Sequence, residues 1–332
     1  MRLRLLRLVP LLVTLLILPF GAAQLLSSSS HAAIAPSYSP QTLSFSLRVR
    51  DDLIVPHRVF AVFLMPGELL DLEVSRARDG DYRVDDAGAR TLSTGRHRWT
   101  WKAPTEPGLY PLRIERSDTG ERMQLNLFVL TPRKEKEAGR LNGYQVGRYP
   151  SEPFRGLSDY LPPPGFVEMD EAMASVQLAP HFRLGQFASK QSDDYPKYLI
   201  LDERLLLLLE EILEAVNAEG IEASTLQVLS GFRTPWYNAA IGNGQNSRHQ
   251  WGAAADIYVD ERAPAGRMDD LTGDGHSTFA DAERLAEIVE RVKNRRGPMS
   301  YVGGIGLYGP RPHRGPFVHV DVRGYEARWA FE

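Results

Sequence analysis

The first half of the chain, beyond its N-terminus, alternates apolar and polar residues in short runs. Alternate residues are apolar from Leu43 to Val49 and again from Met123 to Val129. Further short apolar runs lie between these two segments, and turn signals such as Asp79-Gly80 and Pro107-Gly108 separate them. A period of two residues predicts strands, and several short strands at this spacing, with no helical period, predict a small β sandwich.

The second half has a different periodicity. Asp202 can cap a helix that continues to Glu219 and ends at Gly220, and the residues from Phe279 to Asn294 have the pattern of an amphipathic helix. A shorter helix is predicted to begin at Pro235. Apolar runs between and after the helices predict strands at 226–229, 254–259 and 317–322. The mixture predicts an α+β domain.

The N-terminal residues have the pattern of an export signal. Three arginines within the first seven residues precede an apolar run from Leu8 to Phe20, and Gly21-Ala22-Ala23 offers small residues for cleavage. The run is shorter than the ~20 residues that span a bilayer comfortably, which favours a cleaved signal peptide over an uncleaved anchor. The sequence therefore predicts an exported protein of the periplasm or cell envelope, with inner-membrane anchoring as the alternative.

These patterns divide the chain into five parts. The charged run 133–140 and the Pro- and Gly-rich stretch after it are typical of a linker and an extended segment. The predicted parts are a signal peptide or anchor at 1–23, a disordered spacer at 24–41, a β sandwich at 42–132, a linker at 133–175 and an α+β domain at 176–332.

Composition and charge narrow the classes of function. The formal net charge is −3, so no global basic field indicates a nucleic-acid partner. The chain has no cysteine, which excludes a disulfide framework, a thiolate zinc site and a cysteine nucleophile.

Two short segments carry candidate metal ligands. A hydrolytic zinc needs three protein ligands and one open position, and without cysteine these ligands must be His, Asp or Glu. His249 leads through a glycine into an alanine-rich strand that carries Asp256, and His319 and Asp321 alternate with valines in another strand. A lone histidine is more often a structural residue than a ligand. A carboxylate within an apolar strand is costly unless it is paired or metal-bound, and this favours a metal site formed by His249, Asp256 and His319.

The C-terminal motifs resemble the zinc D,D-peptidases of peptidase family M15. They are Ser230-Gly-Phe-Arg233, Ser247-x-His249-x-x-Gly252-x-Ala254-x-Asp256 and Phe317-Val-His319-Val-Asp321, in this order. The likeness is closest to the D-alanyl-D-alanine carboxypeptidases and murein endopeptidases, and it covers about Ala179 to Trp329.

The resemblance implies an antiparallel sheet with flanking helices and zinc on His249, Asp256 and His319. It also implies that Arg233, in the motif that begins with Ser230, contacts the substrate. The activity implied is hydrolysis of peptidoglycan stem peptides, by a D,D-carboxypeptidase or a cross-link endopeptidase.

The chain departs from the family at the general base. Members of the family carry a Glu three residues before the last His ligand or a His two residues before it, and these positions are Pro316 and Phe317 here. Asp321 and His313 remain as candidate catalytic groups, to relay protons or to orient a ligand. The departure leaves open a non-catalytic, zinc-containing wall-binding or scaffold protein.

Two further patterns have weaker implications. Trp99-Thr-Trp-Lys-Ala-Pro104 followed by Gly108-Leu-Tyr110 is similar to the late strands of bacterial immunoglobulin-like domains, which suggests a spacer or docking role for the sandwich. The segment 270–281 fits a twelve-residue calcium loop, although its last position is Asp rather than Glu. The candidate calcium ligands are Asp270, Thr272, Asp274, His276, Thr278 and Asp281.

Overall fold

The computed structural model describes residues 38–77, 79–86, 91–133, 139–262, 266–295 and 299–332. The predicted signal peptide and all but the last four residues of the predicted spacer lie outside the described residues. The described chain mixes helices with a larger share of strands, which is compatible with an α+β fold. In this part of the chain no helix is both long and apolar enough to cross a membrane.

Nine strands in the first half form two sheets. One sheet has the strand order β2-β1-β4-β7-β6 and the other has the order β3-β9-β8-β5. All neighbouring strands in them are antiparallel except β3 and β9, which are parallel. The bounds are β1 Thr42–Val49, β2 Leu53–His57, β3 Val59–Leu64, β4 Leu69–Arg76, β5 Tyr82–Asp85, β6 Thr91–Gly95, β7 Arg98–Lys102, β8 Gly108–Arg116 and β9 Arg122–Val129.

The two sheets pack face to face through the apolar positions that predicted the strands. The ring of Phe45 on β1 lies 5.2 Å from the ring of Tyr82 on β5. Trp101 on β7 lies 6.4 Å from Tyr110 on β8. Every residue of β3 is buried, because its second face is covered by the C-terminal half.

Seven short strands and several 3-10 turns follow the sandwich. β13 lies between β10 and β16 in a small antiparallel sheet. The bounds are β10 Thr131–Pro132, β11 Arg140–Leu141, β12 Tyr144–Gln145, β13 Gly165–Met169, β14 Gln177–Ala179, β15 Phe182–Arg183 and β16 Lys197–Leu199.

The described part of the C-terminal half contains three α-helices and another five-stranded sheet. Its elements are α1 Glu203–Ala218, β17 Gln227–Ser230, α2 Pro235–Ala240, β18 Ala254–Tyr258, α3 Phe279–Lys293, β19 Gly304–Tyr308, β20 Phe317–Asp321 and β21 Ala327–Phe331. The three predicted helices are confirmed. Asp202 accepts a hydrogen bond from the Arg204 amide at the start of α1, and the leucines 205–209 are buried.

The sheet of the C-terminal half has the order β17-β18-β20-β19-β21. Its neighbouring strands are antiparallel, as predicted, except β19 and β21, which are parallel. β18 and β20 are antiparallel, and Asp256 lies directly opposite His319. On the other side of β20, Gly306 of β19 is opposite His319. This register brings two of the predicted metal ligands together on neighbouring strands.

The sandwich and the C-terminal half contact each other at the start of α1. The Glu203 carboxylate accepts a 3.0 Å hydrogen bond from Arg50 and a 3.1 Å hydrogen bond from the amide of Phe63. The residues from Pro36 to Glu332 form one unit with a continuous apolar core.

Candidate metal centre

A short turn before β18 fixes the position of His249. The turn is a 3-10 helix from Arg248 to Trp251, and it ends at Gly252 in the left-handed region with φ +64°. A Cβ at residue 252 would lie 1.9 Å from the carbonyl oxygen of Ile200, so only glycine fits. Nδ1 of His249 lies 2.6 Å from the Gly231 carbonyl, to which it donates. This hydrogen bond leaves Nε2 to face the site.

Residues of the predicted linker hold this turn from outside. The Tyr149 hydroxyl donates to the Gln250 carbonyl at 2.7 Å, and the Trp251 indole donates to the Leu161 carbonyl at 3.0 Å. The guanidinium of buried Arg248 lies over the ring of Tyr160, 4.4 Å from its centroid. The segment therefore packs over the turn that carries His249, which is why a stretch rich in Pro, Gly and Tyr is ordered here.

His319 is oriented by the carboxylate two residues after it. Its Nε2 lies 3.0 Å from Oδ2 of Asp321, so Nδ1 faces Asp256 and His249. Asp321 is fully buried and also accepts hydrogen bonds from the Gly304 amide and from Arg323. It lies on the side of His319 away from the other two ligands, where it can orient the ring but cannot reach a substrate.

One potential metal-binding atom from each of the three residues lies close to the other two. His249 Nε2, Asp256 Oδ1 and His319 Nδ1 are 2.8 to 3.2 Å apart, and all three residues are buried. Tetrahedral bonds of 2.0 to 2.1 Å to one ion would put such atoms about 3.3 Å apart. The two nitrogens and the carboxylate oxygen are lone-pair donors that face one another, and a cation between them would satisfy all three. This group can therefore hold a metal ion.

The pKa values of Asp256 and His249 are shifted by burial and by neighbouring charged groups. Burial alone would raise the pKa of the Asp256 carboxyl, but His249 and His319 hold it well below its usual range. Burial lowers the pKa of His249, and the charge of Arg233 acts in the same direction. These directions favour a charged carboxylate and a neutral His249, the forms that bind a metal.

Ser230 and Arg233, which the family motif suggested for substrate contact, form a chain of hydrogen bonds to a metal ligand. Nε of Arg233 donates to the Ser230 hydroxyl at 2.8 Å, and Nη2 donates to Oδ2 of Asp256 at 2.5 Å. Arg233 also lines the cleft and keeps unused donors, whereas Ser230 positions it from behind.

The three ligands lie in an open cleft of about 720 Å³. The residues of the loop 243–247 (Asn, Gly, Gln, Asn and Ser) form one part of its lining. The other lining residues are mostly aromatic or basic. They are Arg233, Tyr308, Arg314, Phe317, Arg323, Trp329 and Phe331.

The structure does not bring His313 to this cleft. His313 is exposed in a two-residue turn closed by backbone hydrogen bonds between Arg311 and Arg314. Pro312 and His313 form the turn, and proline suits its first position. His313 is exposed and is not among the residues that line the cleft, so the geometry does not support its interpretation as a proton relay.

The predicted calcium loop is held by hydrogen bonds to its own backbone. The Asp270 carboxylate accepts the amides of Gly273, Asp274 and Gly275. Buried Asp281 accepts the amides of Leu271 and Thr278 and forms a capping box with Thr278 at the start of α3.

Asp274 and His276 are exposed. Among the described residues, the only group of side chains placed to share a metal is His249, Asp256 and His319. Calcium binding stays a prediction, and the observed geometry accounts for the loop as a capped turn.

Sequence reasoning did not assign roles to several residues of the cleft. Trp329 on β21 lies 5.1 Å from His319 and donates to the Tyr308 hydroxyl at 2.9 Å. Its ring occupies the space beside Gly306, where a Cβ would come within 2.3 Å of it. The available signal was the alternation of β19, which places Gly306 and Tyr308 on the face of His319.

No protein-family model matches the chain, and no curated protein matches it.

Proposed function

We propose that this chain is an exported zinc metallopeptidase that hydrolyses peptide bonds in bacterial peptidoglycan. The observation that carries the proposal is the buried triangle of His249 Nε2, Asp256 Oδ1 and His319 Nδ1 at the base of an open cleft. Two imidazoles and one carboxylate are the ligand set of many catalytic zinc sites, with a fourth position left for water or substrate. The motifs that resemble the zinc D,D-peptidases place the same three residues as ligands and suggest stem peptides as substrates.

Several residues of the chain would each contribute to such a reaction. Bound zinc would supply a Lewis acid and lower the pKa of a water toward ~7. The Gly231 carbonyl and Asp321 would hold the two imidazoles in the required orientation. Arg233 would balance the charge of Asp256 and offer its remaining donors to a substrate carbonyl.

Tyr308 can stabilise the negative charge that develops on the scissile carbonyl. Burial raises the pKa of its hydroxyl, which therefore stays protonated at neutral pH. Its oxygen already accepts the Trp329 indole N–H, so its own hydrogen remains available to an acceptor in the cleft. A hydrogen bond to the developing oxyanion would be its contribution.

A second candidate function is a zinc-containing wall-binding protein without turnover. It is favoured by one observation, because among the described residues that line the cleft Asp256 is the only carboxylate and His249 and His319 are the only imidazoles. No lining residue is then left to serve as a carboxylate or imidazole base. In the peptidase the proton would have to leave through Asp256 or through solvent.

Mass spectrometry of purified murein, digested with the zinc-loaded chain without residues 1–30, tests the proposal. We expect new muropeptides from the wild type, none from His249→Ala or Asp256→Ala, and recovery when zinc is restored after chelation. His313→Ala removes an exposed histidine outside the cleft and should leave the products unchanged. Folded, zinc-loaded wild type that releases no product would contradict the enzymatic function and favour the wall-binding protein.

A further inference from the structure

We propose that Arg314 forms a subsite for a substrate carboxylate, so that the preferred substrate is a peptide with a free carboxylate close to the bond that is cut. The inference rests on the proposed function, because it concerns the occupant of the same cleft. It assigns a role to a residue outside all three motifs.

Charge pairing distinguishes Arg314 from the other two arginines of the cleft. Arg233 pairs with Asp256 and Arg323 pairs with Asp321, each at 2.5 Å. Arg314 pairs with no carboxylate among the described residues, and its hydrogen bonds go from Nη1 to the carbonyls of Gly309 and Gly315. Its positive charge is therefore the one left uncompensated in the lining of the cleft.

The guanidinium of Arg314 is also held in place before any ligand arrives. The backbone of Arg314 closes the turn with Arg311, and its Cζ lies 4.6 Å from the centroid of the Phe317 ring. Phe317 in turn stacks on Tyr308, with ring centroids 4.5 Å apart and planes at 7°. Because Nη1 binds the two carbonyls, Nε and Nη2 keep donors for a carboxylate, and a fixed guanidinium loses little entropy on binding one.

The position of Arg314 sets how far the carboxylate lies from the metal. Phe317, over which the guanidinium lies, is two residues before His319 on the same face of β20. Two residues of a strand span about 7 Å. Arg314 and the three candidate ligands line the same cleft. A carboxylate one or two residues from the scissile bond fits this spacing.

Acid and amide forms of one peptide test the subsite. The probe is an N-acetylated stem peptide that ends in D-Ala-D-Ala, made with a free C-terminal carboxylate and with a C-terminal amide. Zinc-loaded full-length chain should bind and cleave the acid form better, mainly through KM, since a charge-assisted hydrogen bond corresponds to roughly 10- to 100-fold in affinity. Arg314→Gln should remove this preference, and Arg314→Lys should keep part of it because the charge remains without the fork.

Arg311→Gln is the matched control. It removes the same charge from the same turn, but Arg311 is exposed and binds the Glu332 carbonyl outside the cleft. We expect this variant to keep the preference for the acid form. The inference would be overturned if Arg314→Gln preferred the acid form as strongly as the wild type does. It would also be overturned if Arg311→Gln lost this preference to the same extent as Arg314→Gln.

Calorimetric binding of both peptides separates this inference from the proposed function. Wild type that cleaves neither peptide but binds the acid form in an Arg314-dependent way would overturn the peptidase and keep the subsite. Equal cleavage and equal binding of the acid and amide forms would support the peptidase and overturn the subsite. If Arg314→Gln fails to fold, an undiminished acid preference in Arg314→Lys, which loses the fork, overturns the subsite, and a reduced preference supports it.

Discussion

At the scale of single residues, the two carboxylates of the site, Asp256 and Asp321, have different roles. Asp256 faces the two imidazoles, whereas Asp321 faces the rear of His319 and the guanidinium of Arg323. Burial would raise the pKa of Asp321, but His319 and Arg323 hold it far below its usual range. A carboxylate so strongly ionised and so fully buried is a poor general base and a good orienting group.

We therefore expect Asp321→Asn to weaken zinc binding by about 10- to 100-fold, because the His319 ring loses its charged partner. Competition with a chromogenic zinc chelator measures the change. Asp274→Asn, which alters an exposed carboxylate outside the site, should have no effect. Unchanged zinc affinity combined with a large loss of kcat and an altered pH profile would instead identify Asp321 as a proton carrier.

At the scale of elements, the centre depends on the close approach of the His249 turn to the strand before α1. The Gly252 carbonyl accepts from the Asp202 amide at 3.0 Å, and the Gly252 Cα faces the Ile200 carbonyl without room for a side chain. Gly252 thus sets the relative positions of the turn, the N-terminus of α1 and β18. A displacement of this turn would move His249 away from Asp256.

Gly252→Ala should lower the free energy of unfolding by about 2 to 4 kcal/mol, because it combines a left-handed φ with a backbone clash. Urea denaturation followed by tryptophan fluorescence measures it. Gly244→Ala is the matched control in the neighbouring loop, since a Cβ there meets no atom within 4 Å. A loss of similar size in both variants would show that the close approach is not the cause.

At the scale of the whole molecule, the sandwich contacts the C-terminal half through β2, β3 and α1. His57, the last residue of β2, is buried in this region, and its Nδ1 has no hydrogen-bond partner among the described residues. Burial lowers the pKa of His57. The carboxylates of Glu210 and Glu214 on α1 and the carbonyl of Pro40 oppose this shift, whereas His181 adds to it.

The neutral form of His57 should therefore stabilise the fold at neutral pH. A pKa that is lower in the folded state than the ordinary value of about 6.5 gives stability that is present above that pH and is lost as the pH falls below it. We expect His57→Gln to lose less free energy of unfolding than the wild type between pH 7.5 and pH 5. Urea titrations at both values measure the difference, and identical losses in the two proteins would contradict the assignment.

Local signals in the sequence predicted much of the secondary structure and the members of the metal group. Capping by Asp202 and the apolar periodicity of α1 and α3 act over a few residues and can be recognised in one dimension. The alternation of Phe317–Asp321 placed His319 and Asp321 on one face, and the structure has them in contact at 3.0 Å.

The local sequence indicated which residues could bind a metal, because an alanine-rich strand with one carboxylate and a valine strand with one histidine leave few other ligands. The three-dimensional fold was needed to show which atoms of the candidate ligands face one another, that Ser230 positions Arg233 and that His313 faces solvent. It was also needed to show that Arg314 has no carboxylate partner among the described residues. Strand register and the packing of distant turns set these contacts, and neither can be read from neighbouring residues in the sequence.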